Sequence, residues 1–266
     1  MLSLLFTSLA FAVANPIQHS VNTVGGHGTV VTSKSIYHEA TIHEREYERT
    51  LKMRNRDVKH RSEEERPPKI LLIYRDILKP GTEAVFKTIE EDAALICAEL
   101  HCPNSHLAIE SLTGTKQVWW LTPYESEADI EKIANGYASN PTLMAALTGI
   151  SKRRKNLVEL GNDLFAKYRA DLSRGAQWRL GGTRFFVVTV TKGDPPVAGS
   201  VFEAPDGTRF ILRTAHTRRE ADALAVSGSS EAMIFAVRPY WGMPAREWIR
   251  ADPEFWKANP AASRLR

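Results

Sequence analysis

Two glutamates at matching positions of a duplicated segment are the residues best suited to chemistry. The stretch 108–129 reads AIESLTGTKQVWWLTPYESEAD, and a similar stretch, VFEAPDGTRFILRTAHTRREAD, follows at 201–222. Glu110 and Glu203 occupy the same position in the two copies. Burial raises the pKa of a carboxyl group, as a general base at neutral pH requires. A pair of such groups is therefore a candidate catalytic or binding centre.

The first copy is expected to form a β-hairpin whose turn decides which side chains share a face. A two-residue turn at 113–114 places Glu110 opposite Gln117. The same face then also carries His106 and Trp119. This combination of an acid, an imidazole, an amide and an indole predicts a polar pocket with an aromatic wall.

The second copy is expected to repeat the arrangement. A two-residue turn at 206–207 places Glu203 opposite Phe210. The candidate catalytic residues are Glu110 and His106, and the candidate substrate-binding residues are Trp119, Gln117, Glu203 and Phe210. The alternative is structural: the two glutamates pair with arginines or backbone groups, or lie at a wet rim, because a buried charge without a partner is costly.

The elements around the first hairpin predict a ferredoxin-like unit. A β-branched and aliphatic strand at 69–78 precedes an amphipathic helix at 83–100. After the hairpin, a helical region at 126–157 is interrupted at 140–141, where Asn caps and Pro begins a second helix. A strand at 164–169 closes the unit. The order β-α-β-β-α-β is the ferredoxin-like arrangement.

The second half predicts a shortened copy of this unit. A strand at 183–191 leads through a Gly-Asp-Pro-Pro link directly to a strand at 200–204, which leaves no room for a first helix. The hairpin is followed by a helix at 217–226 and a strand at 233–238, which gives the order β-β-β-α-β. An aromatic tail at 241–266 is expected to pack back on the body and to cover apolar surface left by the absent helix.

These elements divide the chain into three parts. Residues 1–66 are expected to be a weakly structured or disordered extension, since their apolar content is low. The first unit spans 67–173 and the second spans 180–266. The apolar run within 1–14 is too short to cross a bilayer. It is either a signal segment, which would mean export, or an extension without structural meaning, in which case a cytoplasmic location is favoured.

Composition excludes several functional classes. The net charge is +4 with acidic and basic residues interleaved, which argues against nucleic-acid binding.

Cys97 and Cys102 are expected to be free thiols. The basic run at 152–155 is expected to be a solvated helix end. No metal site is predicted in the body of the chain. Five of the eight histidines fall within 1–66, so a metal site there stays an open hypothesis.

The element order and the motifs KILLIYRDILKPG and QVWWLTPYES resemble the dimeric α/β-barrel superfamily, which includes antibiotic-biosynthesis monooxygenases and NIPSNAP-like proteins. The resemblance implies an α+β fold in which two four-stranded sheets pack face to face, here as an intrachain barrel, and it implies that the face carrying Glu110 and Glu203 is the barrel interior. It also implies a pocket between the sheets for a small apolar or aromatic molecule, used by a cofactor-independent, monooxygenase-like enzyme or a binding protein. Haem is a further possibility within the superfamily, and no other cofactor is predicted.

Whether the chain is an enzyme stays open at this point. A non-catalytic structural or protein-interaction domain is the alternative, and a barrel interior filled by side chains would favour it. The chain carries no phosphate-binding glycine loop, nucleophile elbow or zinc-protease helix. We expect a monomer or a homodimer with no nucleic-acid partner.

Overall fold

Eight antiparallel strands form a closed barrel in the computed structural model, which describes residues 66–175, 178, 180–227 and 232–263. The strands are β1 Ile70–Leu78, β2 Leu107–Ser111, β3 Gln117–Tyr124, β4 Val158–Tyr168, β5 Phe185–Thr191, β6 Ser200–Glu203, β7 Arg209–Ala215 and β8 Met233–Val237. Around the barrel they run β1-β3-β2-β8-β5-β7-β6-β4, and β4 pairs with β1 to close it. Closure leaves no unpaired sheet edge.

Helices lie outside the barrel and at one of its ends. The described helices are α1 Glu83–Leu100, α2 Glu127–Ala138, α3 Pro141–Arg154, α4 Arg218–Val226, α5 Arg246–Ala251, α6 Pro253–Trp256 and α7 Pro260–Ser263. The predicted break between α2 and α3 is confirmed, since the Asn140 side chain accepts a hydrogen bond from the Leu143 N–H at 3.0 Å. None of the described helices is both long enough and apolar enough to cross a membrane.

Each half of the chain contributes four strands in the same order. These are β4-β1-β3-β2 from the first half and β8-β5-β7-β6 from the second. The halves join through the β2–β8 and β4–β6 pairs, so the strands form one continuous barrel. Residues 192–199 connect β5 to β6 without a helix. The outer face of the second half is therefore covered by fewer helices than that of the first.

The barrel interior is filled by large apolar side chains. Alternate residues of the strands point inward, and those that are fully buried include Trp119, Phe186, Phe202, Phe210 and Phe235. An eight-stranded barrel is about as wide as such side chains can fill. The space between the two halves, where the resemblance places a pocket, is thus a packed core.

The aromatic tail packs back on the body, as expected, but it covers a different surface. Trp248 and Trp256 are buried in the same cluster as the inward-facing side chains, together with Trp178. The tail therefore closes one end of the barrel and does not cover the site of the absent helix. Burial of the tail tryptophans against the interior side chains stabilises the fold.

The register of the first hairpin differs from the expected one by one residue. Glu110 pairs with Val118, and Ile109 pairs with Trp119. The loop is longer than two residues because the Ser111 hydroxyl accepts a hydrogen bond from the Gln117 N–H at 2.9 Å and donates one to a loop carbonyl. A shift of one residue turns every side chain of the strand to the other face. Glu110 consequently points outward.

The second hairpin shifts in the same way. Glu203 pairs with Arg209, and Phe202 pairs with Phe210. Gly207 has φ +79° and allows a three-residue turn. In this turn the Thr208 N–H donates a hydrogen bond to the Asp206 carboxylate at 3.0 Å. Glu203 therefore points outward as well, and the expectation that both acids face the barrel interior is wrong.

Cys97 and Cys102 form a disulfide, contrary to the expectation of free thiols. His101 ends α1 in the left-handed conformation, with φ +58°, and turns the chain back over the last helical turn. The Cys102 N–H then donates to the Cys97 carbonyl at 3.0 Å, and the two Cα atoms lie 4.7 Å apart. That separation is within the range of disulfides. Sequence spacing alone carried no information about this backbone turn.

Replacing Trp256 should test the closure of the barrel end. Trp256 is 1% exposed, so Trp256→Ala should lower the free energy of unfolding by about 3 kcal/mol through lost burial and a cavity. Denaturant unfolding measures the change. Leu95→Ala, at a half-exposed position of α1, is the control and should change stability by no more than about 0.5 kcal/mol. Equal effects of the two substitutions would contradict the proposed packing of the tail.

Candidate functional site

Three of the predicted site residues lie together in the barrel interior. The Trp119 indole N–H donates to Gln117 Oε1 at 2.7 Å. The Trp119 ring centroid lies 6.0 Å from that of Phe210 and 4.9 Å from that of Phe235. The Gln117 amide also reaches the Met233 sulfur at 3.1 Å. The polar groups of these side chains bond to one another and their rings are in contact. They therefore form a packed core in place of the expected pocket wall.

The two glutamates lie on the outer face, each between two basic side chains. Arg238 Nε donates to Glu110 Oε2 at 2.5 Å, and Lys116 Nζ lies 2.6 Å from Glu110 Oε1. Glu203 accepts from Arg209 and Arg169 at 2.6 and 2.7 Å. These hydrogen bonds hold the pKa of Glu203 below its ordinary value. The contacts match the structural alternative, in which the two acids pair with arginines and tie neighbouring segments together.

His106 lies where β2 begins, in contact with the segment that leads to the tail. Its backbone pairs with Met243, and a Cβ on Gly242 would lie 2.8 Å from the His106 carbonyl oxygen. Burial lowers the pKa of His106 to about 4, so the imidazole is neutral at pH 7. Asn104 Nδ2 approaches His106 Nδ1 at 3.4 Å. The neighbours of His106 are thus those of a packed structural histidine.

A buried charge cluster that the sequence did not reveal lies beneath α1 and α3. Asp76 of β1 is 0% exposed and Glu90 of α1 is 3% exposed. Arg154, at the end of α3, lies between them, with Nη1 3.0 Å from Glu90 Oε1 and Nε 3.4 Å from Asp76 Oδ2. Arg154 Nη2 also donates to the Tyr74 hydroxyl at 3.4 Å. The expectation that the basic run 152–155 is wholly solvated is therefore wrong for Arg154.

The cluster contains two carboxyl groups and one guanidinium. Burial raises the pKa of both Asp76 and Glu90, although Arg154 works in the opposite direction. Because the side chains of Asp76 and Glu90 are shielded from solvent, a substrate has no direct access to them. The cluster consequently ties β1, α1 and α3 to one another and makes that connection sensitive to pH.

An open cleft of about 530 Å³ lies on the outer face of the second half. Its walls are the segment 196–199, the stretch 212–214 of β7, and Leu224 and Ser227 at the end of α4, with Gly175 at the margin. The segment 196–199 belongs to the direct connection from β5 to β6, where the first half has α1. We call this space the outer cleft. Residues 192–199, all of them described, form no helix between β5 and β6.

Arg213 is the charged side chain of the outer cleft. It is 9% exposed, and its Nη1 donates to the Leu224 carbonyl at 2.8 Å. Among the described residues its Nε and Nη2 have no hydrogen-bond partner, and both atoms are shielded from solvent. Burial lowers the pKa of Arg213, but an arginine stays charged in a protein. The wall of the cleft therefore contains a buried positive charge.

Gly199 lets the wall of the outer cleft lie directly on β7. A Cβ at this position would be 2.7 Å from Ile211 Cγ2 and 3.0 Å from Arg213 Cγ. Both distances are too short for a side chain at position 199 without a shift of the strand or the loop. The glycine thus allows the segment 196–199 to lie against the stem of Arg213.

The sequence contained a weak indication of Arg213. Ile211 and Arg213 are two residues apart in a strand, so they share a face. With the expected hairpin register that face would have been assigned to packing under helices. The expected register thus already placed Arg213 on the helix-facing side, and an arginine there together with an absent helix could have identified the cleft.

Haem does not fit the residues that are present. Haem iron needs an axial ligand such as His, Cys, Met or Tyr, and the described residues that line the outer cleft include none of these. His106 is half-buried, and its Nδ1 lies 3.4 Å from Asn104 Nδ2. Among the described residues, no group of three or more His, Cys, Asp or Glu side chains could hold a metal ion. The hypothesis of a histidine metal site within 1–66 lies outside the described residues.

The fold and the site define an α+β protein with a closed eight-stranded antiparallel barrel and a cleft on its outer face. This architecture is consistent with the α/β-barrel fold that the sequence resembles. No family model and no curated protein sequence matches the chain. Solved structures give distant likenesses that cover about two thirds of the chain.

Three of these structures are provisionally assigned enzymes. A monooxygenase from Fusobacterium nucleatum is 9% identical, with a TM-score of 0.40, over 65% of this chain and 92% of its own. A monooxygenase from Lactobacillus acidophilus is 5% identical, with a TM-score of 0.37, over 64% of this chain and 92% of its own. A chlorite dismutase is 10% identical, with a TM-score of 0.38, over 64% of this chain and 94% of its own. At these values the likenesses carry no information about activity.

The charge cluster predicts how stability depends on pH. A carboxyl group whose pKa is raised in the folded state binds its proton more tightly there, so its contribution to stability is largest below the unfolded pKa of about 4. That contribution is lost as the pH rises through the folded pKa. Glu90→Gln leaves Arg154 paired one-to-one with Asp76. The free energy of unfolding of the variant, relative to that of the wild-type protein, should therefore increase from pH 5 to pH 8.

Urea unfolding at the two pH values measures this change. Glu91→Gln is the matched control, because Glu91 is the next residue of α1 and is partly exposed beside Lys87. The control should keep the wild-type dependence on pH. Parallel pH profiles for Glu90→Gln and the wild-type protein would contradict the role assigned to the cluster.

Proposed function

We propose that this protein binds a small, largely apolar molecule in the outer cleft and does not transform it. The observation that carries the proposal is the cleft itself, whose volume of about 530 Å³ is within the range of small-molecule sites. Pro196, Val197, Ala198 and Leu224 supply apolar surface around it. Such a surface, open on one side, suits an aromatic or aliphatic body.

We propose binding and not catalysis because of what lines the cleft. Among the described lining residues there is no His, Asp, Glu, Cys or Lys, so no general base or activated nucleophile faces a bound molecule. The alternative is a monooxygenase-like enzyme with a pocket between the sheets. That function needs space in the barrel interior, where Trp119 and Phe210 are fully buried and in contact.

The shape of the cleft follows from the proposed domain organisation. We interpret residues 67–173 and 180–266 as two ferredoxin-like units, of which the second has no helix between its first two strands. The matching strand order of the two halves supports this interpretation. Membership of the dimeric α/β-barrel superfamily is proposed on the same basis. The second unit would then use the vacated position as its binding site.

The test uses a matched pair of probes, 1-naphthaleneacetate and 1-naphthaleneacetamide, and isothermal titration of the full chain. At least one of the pair should bind. Ala198 is an exposed residue of the cleft wall, so Ala198→Phe should fill the space and weaken binding by about tenfold or more, a change of about 1.4 kcal/mol.

Ala145→Phe is the control, because Ala145 is exposed on α3 in the first half. This variant should bind as the wild-type protein does. If neither probe binds the wild-type protein, or if Ala198→Phe binds both as tightly as Ala145→Phe does, the outer cleft is not a site for molecules of this kind.

A further inference from the structure

The end of the barrel that lies opposite the tail is partly exposed on its inward face. The tail meets the starts of β2 and β5, through the bridge between His106 and Met243 and the ion pair between Arg184 and Asp252. The end of β1 and the start of β4 lie at the other end, because β1 runs parallel to β2 and antiparallel to β4. There the inward-facing Leu160 is 54% exposed.

Five residues on the inward face of β1 and β4 line this end, which we call the barrel mouth: Arg75, Ile77, Leu160, Asn162 and Leu164. The register places Arg75 opposite Asn162 and Ile77 opposite Leu160. Asn162 is exposed, and Arg75 and Ile77 are half-buried. The barrel mouth is therefore a surface with aliphatic side chains around one positive charge.

The guanidinium of Arg75 is held in place and keeps two accessible donors. It lies over the Trp119 ring, with its Cζ 4.7 Å from the ring centroid, and Gln117 in turn holds the Trp119 N–H. Arg75 Nε is shielded from solvent. Nη1 and Nη2 form no hydrogen bond with the described residues and stay accessible to solvent. These two nitrogens can donate to a ligand that arrives at the mouth.

The charge of Arg75 also has no acidic partner among the described residues. Burial lowers the pKa of Arg75, but an arginine stays charged in a protein. Other partly buried arginines of the chain each pair with a carboxylate, namely Arg154, Arg169, Arg184, Arg209 and Arg238. An anion from outside the chain would give Arg75 the kind of partner that these arginines have.

We propose that the barrel mouth binds an aliphatic acid, with its carboxylate on Nη1 and Nη2 of Arg75 and its hydrocarbon chain against Ile77 and Leu160. The two outer nitrogens of a guanidinium present parallel N–H donors that match the two carboxylate oxygens. Because the Trp119 ring already orders the guanidinium, little further freedom is lost on binding. The ligand keeps its charge and lies above the packed interior.

This inference is independent of the proposed function. The outer cleft lies on the outer face of the second half, and none of the residues of the barrel mouth is among the described residues that line it. The chain would thus carry two separate binding sites.

Titration of the full chain with hexanoate and hexanamide tests the inference. The two probes share a hydrocarbon chain, but the amide carries no charge. The indole N–H signal of Trp119, read by NMR, reports binding directly beneath Arg75. The wild-type protein should bind hexanoate about tenfold or more tightly than hexanamide. Arg75→Met should bring the two affinities within about twofold of each other, because it removes the charge and both donors.

A second variant supplies the anion from within the chain. Since position 162 lies opposite Arg75 in the register, the carboxylate of Asn162→Asp should occupy the guanidinium and weaken hexanoate binding by about tenfold. Asn135→Asp makes the same charge change at an exposed position of α2, and it should bind hexanoate as the wild-type protein does. Circular dichroism checks each fold, and a misfolded Arg75→Met leaves Asn162→Asp to decide.

The outcomes separate the barrel mouth from the outer cleft. If hexanoate and hexanamide bind equally, if neither binds, or if the preference survives in folded Arg75→Met, the inference is overturned. A preference that is lost in Ala198→Phe but kept in Arg75→Met would place the acid in the outer cleft, so the proposed function would stand without the inference. If the naphthalene probes fail while the hexanoate preference depends on Arg75, the inference stands without the proposed function.

Discussion

The packed interior of the barrel is the constraint on which the rest of the structure depends. Eight strands enclose a space that large side chains can fill completely, and here Trp119 and four phenylalanines do so. Tryptophans of the tail close one end. The same packing that stabilises the fold removes the internal space a ligand would need. The proposed binding function therefore uses an outer face, where the two halves of the chain differ.

The two halves treat a buried arginine in opposite ways. In the first half Arg154 is enclosed by helices and shared between Asp76 and Glu90, so the protein itself neutralises the charge and leaves one carboxyl group in excess. In the second half no helix connects β5 to β6, and Arg213 in the wall of the outer cleft donates to the Leu224 carbonyl. No acidic side chain is among the described residues that line this cleft.

The sequence predicted the elements well and the faces of the strands poorly. The break at Asn140, the direct connection after β5 and the packing of the tail all follow from local chemistry that single residues or compositions reveal. The register of each hairpin depended on whether Ser111 and Gly207 lengthened the turn by one residue. That detail is decided by a hydroxyl contact and a positive φ angle, and the error moved Glu110 and Glu203 to the wrong side.

The structure of a complex with 1-naphthaleneacetate tests the central claim most directly, namely that ligands are bound outside the barrel. The account predicts that the naphthalene ring lies in the outer cleft against Val197, Ala198 and Leu224, while the contacts between Trp119 and Phe210 are unchanged. A naphthalene ring inserted between those two aromatic side chains would show that the interior opens to ligands, and it would contradict the claim.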